Sequence, residues 1–405
     1  MSKFEKFQRL LVIILVAVGF FYGGYYFGKR GFIFEVRKNP PKIEIINRYP
    51  GDKKINFGLF WEVWDLINTT YLDRPVDPQK MLWGAISGMV ASLGDPYTSF
   101  LPPETNKNIS NALNGKYEGI GAELGMKDNQ LVVVAPLDGS PAKAAGIKAG
   151  DKILKISDAT TFGMAITEAV SKIRGPANTN IKLTVQTENQ SSRELTLTRG
   201  VISVASVTWQ DKGDGVAYIR VSRFGGETNA EWDRVVSEVN VNMKQLDSII
   251  VDVRGNPGGY LQSAVHLAEE FFNNKVVLFE ETPLGEAIPL EAKRVGSFQR
   301  IPAVFVLVDQ GSASASEILA AALKEQFGAK LIGTKTFGKG TIQDAKEFSD
   351  GSGVHITIAK WLTPKKEWVH QKGIEPDVKV EVNDENTKDG ADPQLNKAIE
   401  LAKQI

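Results

Sequence analysis

Gly311-Ser-Ala-Ser-Ala-Ser-Glu317, running straight into Ile318-Leu-Ala-Ala-Ala-Leu-Lys324, is the stretch that decides how this chain is read. Before it stands Ile301-Pro-Ala-Val-Phe-Val-Leu-Val308, an apolar, β-branched run of the kind that makes a buried strand. After it, Ser316 to Gln326 is rich in strong helix formers, with Ile318, Leu319, Ala322 and Leu323 at helical spacing. The pattern predicts strand, tight small-residue turn, helix. A helix N-terminus carries free N–H groups and a dipole that favours negative charge, so a serine there has an oxyanion site beside it. Serine is also a common helix cap, and this segment alone leaves both readings open.

Outward from this stretch the chain keeps alternating. Val216–Val221 and Ser248–Val253 read as strands, and Glu227–Met243 and Leu261–Phe272 as helices. Arg254-Gly-Asn-Pro-Gly-Gly259 lies between the second strand and the second helix. Further strands are expected near 276–279, 330–332 and 354–359, and a closing helix over 392–403. Alternation of this kind predicts an α/β domain with ligands at the strand C-terminal ends. Residues 105–200 read differently, as short strands with glycine-rich turns. Gly119-Ile-Gly-Ala122 followed by Ser140-Pro-Ala-x-x-Ala-Gly-Ile-x-x-Gly-Asp-x-Ile153 resembles a PDZ domain. That resemblance implies capture of a peptide C-terminus as an added strand, its carboxylate held by N–H groups at Gly119, Ile120, Gly121 and Ala122.

Of the 405 residues, 42% are hydrophobic and 24% charged, and 48 Lys+Arg balance 48 Asp+Glu. Nothing in this balance points to nucleic acid. The absence of cysteine excludes a thiol nucleophile, disulfides and thiolate metal sites. Leu10 to Gly28 is an uncharged run of membrane length, flanked by Lys3, Lys6 and Arg9 and ending in interfacial aromatics. It reads as an uncleaved anchor with the bulk of the chain outside the cytoplasm. Residues 31–55 read as a linker. Phe57–Ser92 reads as two helices broken around Pro75 and Asp77-Pro78, a packing or dimerisation element.

A serine needs a base. His266 falls mid-helix, His355 in a strand and His370 in a polar loop, none in a triad motif. A lysine serves if burial lowers its pKa, and Thr336-Phe-Gly-Lys-Gly340 offers Lys339 between two glycines, with Gln343 placed to orient the amine. Lys335 is the competing base and is expected to face solvent. Ser312 is expected in the turn and Ser316 as a helix cap. Ser140-Pro-Ala-Lys143 matches a Ser-x-x-Lys element, but Pro141 and the absence of Ser-Asp-Asn argue against a penicillin-binding chemistry.

Four motifs in order, the PDZ-like segment, Asp252-Val-Arg-Gly-Asn-Pro-Gly-Gly259, Ser312-Ala-Ser-Ala-Ser-Glu317 and Phe337-Gly-Lys-Gly-Thr-Ile-Gln343, resemble the carboxyl-terminal processing proteases, which are Ser/Lys endopeptidases. The resemblance covers Asn56 to the end. It implies a multidomain α+β protein: anchor (1–30), linker (31–55), helical region (56–104), PDZ-like domain (105–200), ClpP/crotonase-like protease core (201–382) and C-terminal helix (383–405). It further implies Ser314 as nucleophile, Lys339 as base, Gln343 as orienter and an oxyanion hole from Gly259 and Ala315. No metal or organic cofactor is implied. Substrates would be proteins or peptides with a free C-terminus. The competing expectation is an anchored PDZ scaffold with a dead protease domain. Arg174, just after the second PDZ-like helix, reads equally as a surface arginine or as a contact to the protease domain when peptide binds.

Overall fold

A computed structural model describes residues 3–29, 32–38, 41–47, 57–127, 129–137, 139–187, 190–383, 386–387 and 391–405. The chain divides into two compact units, Met1–Leu82 and Trp83–Ile405. In the first, helix α1 (Lys3–Lys29) contains a 20-residue apolar span, Phe7–Tyr26, long enough to cross a membrane. Where a linker was expected, strands β1 (Phe32–Lys38) and β2 (Pro41–Asn47) pair as an antiparallel hairpin. The β-branched residues interspersed among the charges in both stretches favour extended backbone, and this outweighs the linker-like polarity. Residues 31, 39–40 and 48–55 of the expected linker lie outside the described residues. Helix α2 (Gly58–Thr70) and the first turn of α3 (Pro78–Ala91) complete this unit. The helical region expected at 56–104 is thus shared between the units.

The second unit opens with β3 (Ser99–Leu101), α4 (Pro103–Leu113) and β4 (Lys116–Gly119). Then come β5 (Ala122–Lys127), β6 (Gln130–Pro136), α5 (Pro141–Ala144), β7 (Lys152–Ile156), β8 (Ala159–Thr160), α6 (Ile166–Ile173), β9 (Asn180–Gln186) and β10 (Arg193–Thr198). The sheet runs β10-β9-β7-β6-β5, which leaves β5 on the edge. Leu131, Ile153, Leu183 and Val185 fill its core with no exposed surface. Strand β11 (Gly200–Ser203) pairs back onto β4 and leads to the α/β core.

That core adds β12 (Val207–Asp211), β13 (Val216–Val221), α7 (Thr228–Asn242), β14 (Ser248–Asp252), α8 (Leu261–Ala268), β15 (Val276–Glu281), β16 (Ala287–Glu291) and β17 (Ala303–Val308). It continues with α9 (Ala315–Ala322), β18 (Lys330–Gly333), β19 (Thr341–Glu347), β20 (Gly353–Leu362), β21 (Val378–Lys379) and α10 (Pro393–Ala402). The main sheet runs β12-β13-β14-β17-β18-β21 and is parallel from β13 onward. Both of its faces are covered: Ile249, Val251, Val304 and Val306 meet the buried faces of α7, α8 and α9, while Ile250, Phe305 and Leu307 meet Ala398 and Ala402 of α10. Two-sided burial explains why these strands read as continuous apolar runs rather than alternating ones. A second sheet, β16-β15-β20-β19, takes β3 as a further strand on β20.

Two expected helices are shorter than their periodicity. Helix α8 stops at Ala268 rather than Phe272. Helix α9 loosens into a π-turn over Leu323–Phe327, ended by Gly328 in the left-handed region at φ 86°.

Candidate active site

Three adjacent parallel strands, β14, β17 and β18, deliver three loops to one end of the sheet. After β14 comes the glycine loop to Gly259, after β17 the serine turn, and after β18 the loop holding Lys339. This is where an open α/β sheet offers its crevice.

The serine turn is built on buried hydrogen bonds. Ser312 Oγ donates to the Val253 carbonyl (2.8 Å) and Ala313 N–H to the Asn256 carbonyl (3.0 Å). Ser316 was expected as the cap; it lies instead inside α9, fully buried, and its hydroxyl donates to the Asn256 carbonyl (2.9 Å). The N-cap is Ser314, at φ 56° and ψ −115°. A non-glycine residue in this region is uncommon and holds strain where the surrounding bonds over-determine it. The half-buried Ser314 hydroxyl therefore heads the helix, beside the N–H of Ala315.

The glycine loop lies against this turn. A Cβ on Gly258 would come within 2.8 Å of Ser314 Cβ and 3.0 Å of Ala315 N, and one on Gly259 within 2.0 Å of the Phe224 carbonyl oxygen. Only glycine fits, at φ 99° and 139°. Gly258 N–H is consumed by Asn256 Oδ1 (2.9 Å). Gly259 and Ala315 N–H groups meet no acceptor among the described residues.

Glu317 joins the serine turn to the lysine loop, a role that sequence reasoning missed although the residue closes the serine motif. The carboxylate is fully buried. Its Oε2 accepts the backbone N–H of both Ser314 and Lys339, each at 2.9 Å. Its Oε1 accepts the Thr336 hydroxyl (2.6 Å) and Gly338 N–H (2.7 Å). Phe337 N–H adds a bond to the Ser312 carbonyl (3.0 Å). Two tryptophans hold the far side of the loop: Trp361 Nε1 donates to the Lys339 carbonyl and Trp368 Nε1 to that of Gly340, each at 2.8 Å.

Burial pushes the Lys339 amine below its usual pKa, and the nearby charge of Asp95 opposes this in part. Its Nζ sits 5.0 Å from the centroid of the Tyr97 ring. Gln343 is in β19, its amide donating to Thr341 Oγ1 (2.9 Å) and Thr357 Oγ1 (3.1 Å). No bond from Gln343 to the Lys339 amine occurs among the described residues. Lys335 faces solvent and pairs with Glu375 at 3.0 Å. Among the described residues no imidazole bonds to Ser314. His355 is held below its usual pKa by burial and by the Lys339 charge. The hydroxyl of Ser140 caps α5 by accepting Lys143 N–H (3.2 Å), as befits a structural serine. No cluster of potential metal ligands occurs among the described residues.

In the PDZ-like domain, Ile120 is buried and Gly121 takes φ 71°, with the Ser140 side chain where its Cβ would stand. Their carbonyls accept N–H groups of Ala142 (2.8 Å) and Leu137 (2.9 Å), and this loop leads into the edge strand β5 at Ala122. Arg174 follows α6, its guanidinium 4.8 Å from the Tyr117 ring, on a cavity of about 850 Å³ also lined by Arg223 and Glu104.

Comparison with known proteins agrees with this architecture. Residues 215–380 match the model for peptidase family S41, residues 132–187 that for the PDZ domain, and residues 18–105 that for the activating protease CtpB N-terminal domain. The chain is 38% identical to the carboxy-terminal processing protease CtpA of Bacillus subtilis over 82% of its own length and 70% of that protein's. It is 36% identical to CtpB of the same organism, over 80% and 67%. A putative S41 protease from Bacteroides fragilis shares the fold, with a TM-score of 0.57 over 88% of this chain and 99% of that one at 15% identity. A PDZ domain ahead of an α/β core, and relatives this similar along most of their length, make the chain a member of the carboxy-terminal processing serine proteases of peptidase family S41.

Proposed function

We propose that this protease cleaves by acyl transfer with Ser314 as nucleophile and Lys339 as general base. The observation that carries the reading is the shared Glu317 oxygen, which gathers the backbones of Ser314 and Lys339 from loops 25 residues apart beside a half-buried amine of lowered pKa. Neutral Lys339 takes the proton of Ser314 Oγ as that oxygen attacks the scissile carbonyl. The N–H groups of Gly259 and Ala315 stabilise the oxyanion, since neither has a partner among the described residues, Ala315 follows the serine, and Gly259 follows the glycine packed against it. The Lys339 ammonium then protonates the leaving amine, and water hydrolyses the acyl-enzyme ester. Gln343 acts on the lysine only indirectly, by fixing Thr341 and Thr357 on β19 and β20.

Substrate C-termini dock along β5, their carboxylate in the Gly119–Ala122 loop, and are thereby concentrated near the protease core. The apolar helix α1 anchors the chain in a membrane with the catalytic part outside the cytoplasm. The test uses the full chain in detergent and an unstructured protein with an apolar C-terminal tail. Ser314→Ala and Lys339→Ala each lower kcat by at least about a thousandfold, and amidating the substrate's C-terminus raises KM. A Ser314→Ala variant that turns over like the parent sinks the proposal and favours a different catalytic centre.

A further inference from the structure

The lysine amine needs a partner as well as a neighbour. Once it has accepted the serine proton it is a half-buried ammonium, and the orienter expected from the sequence, Gln343, is spent on two threonines. The groups that face the amine come from Asp95-Pro-Tyr-Thr98, ahead of β3. Tyr97 turns its ring face toward Nζ at 5.0 Å. Asp95 is fixed beside it: Oδ1 accepts Tyr97 N–H (3.0 Å) and Oδ2 accepts the Thr98 hydroxyl (2.6 Å). Thr98 Oγ1 in turn accepts Thr357 N–H (3.0 Å), and Thr357 Oγ1 takes the bond from Gln343. The segment is therefore tied to β20 by hydrogen bonds as well as by the β3 ladder. On the remaining sides stand two imidazoles: His355 on β20, and His370, whose Nδ1 accepts Gly340 N–H (3.4 Å) and whose ring is stacked on Trp368. Asp95 is thus the acidic side chain whose charge reaches the amine, since the Glu317 carboxylate is occupied by backbone N–H groups and Thr336.

We propose that Tyr97 and Asp95 are positioning residues for Lys339, holding its amine against the ring face and stabilising the ammonium it becomes when Ser314 is deprotonated. An aromatic face and a carboxylate both favour the cation over the neutral amine. They therefore do for this lysine what the third member of a triad does for its histidine. The proton balance is unchanged: it passes from Ser314 Oγ to Lys339 Nζ and from there to the leaving amine, while Tyr97 and Asp95 exchange none. Burial of Asp95 raises its pKa, but its hydrogen bonds with Thr357, Thr98 and Tyr97 outweigh this and hold it below the usual carboxylate range. It is a carboxylate throughout the working pH range.

This inference rests on Lys339 being the base, and the experiment separates the two. The full chain in detergent is assayed on the same unstructured substrate between about pH 5 and 10. In Asp95→Asn the acidic limb of kcat moves to lower pH, because the lysine loses its proton more readily, and the plateau falls about tenfold because a weaker base is left. Tyr97→Leu moves limb and plateau the same way, and Tyr97→Phe brings the plateau back to within about threefold of the parent, because the ring face remains. KM changes less than twofold in all three. A limb that stays in place or moves to higher pH in Asp95→Asn overturns the assignment, even if Tyr97→Leu fails to fold. Lys339→Ala is run beside them. If it turns over like the parent, the base reading itself is wrong; if it is inert while the Asp95→Asn limb stays put, only the roles of Tyr97 and Asp95 are.

Discussion

Glu317 shows how one residue sets a site without touching the reacting atoms. It is fully buried and accepts four donors: Oε2 bridges the helix start and the lysine loop, while Oε1 holds that loop at Thr336 and Gly338. Replacing a buried acceptor leaves donors unpaired, which costs about 1–3 kcal/mol each when nothing substitutes. Glu317→Gln keeps the size but turns an NH₂ toward Gly338 and Thr336 or toward Ser314 and Lys339. Its expected effects are a drop in kcat of about a hundredfold or more and a stability loss of about 3 kcal/mol, read by denaturant unfolding. A kcat within threefold of the parent means that the two loops hold their places by other contacts.

At the scale of elements, α10 is fastened to the strand that carries the glycine loop. Asp392 caps the helix by accepting Leu395 N–H (3.0 Å), and both its oxygens take guanidinium N–H bonds from Arg254 (2.8 and 2.7 Å). Arg254 also bonds to the buried Asp252. Burial alone would raise the Asp392 pKa, but the Arg254 bonds prevail and hold it below the usual range. A carboxylate depressed in the folded state contributes stability that is present above the unfolded pKa of about 3.9 and is lost as pH falls through the lower folded value. Asp392→Asn should therefore destabilise the chain at pH 7 and leave it unchanged at the acid end of that window, so the variant's stability–pH curve is flatter below about pH 4. Parallel curves for variant and parent contradict this account of the α10 tether.

At the scale of the whole molecule, the PDZ domain and the protease core meet through a chain of contacts. Arg174 lines the cavity shared by the PDZ domain, α4 and Arg223. The C-terminal end of α4 presses on the loop after β13: Gly226 N–H donates to Asn114 Oδ1 (3.0 Å), and a Cβ on Gly225 would strike the Leu113 carbonyl oxygen. That loop contains Phe224, whose N–H and carbonyl bind either side of Gly259. A contiguous set of contacts thus leads from α4, on the cavity wall, to the glycine loop. Arg174→Ala should lower turnover about tenfold while a peptide ending in a free carboxylate binds the Ser314→Ala background with unchanged Kd. Turnover equal to the parent rejects a coupling role for Arg174.

The sequence by itself determined what is local. Strand, turn and helix around Ser314 follow from β-branched runs, small residues and helix formers within a dozen positions, and the glycines at 258, 259, 338 and 340 announce close backbone approach. Motif order was enough to expect a PDZ domain ahead of an α/β core, and an apolar run of fixed length was enough for α1. Only the tertiary structure decided the partners. The N-cap fell on Ser314 rather than Ser316 because Asn256, far along the chain, takes the Ser316 hydroxyl. The amine met Tyr97 rather than Gln343 because β3 docks on β20, a pairing between residues more than 250 positions apart with no local signature. Buried polar groups take whichever partner the packed elements bring within hydrogen-bond reach, and that choice is made by the fold as a whole.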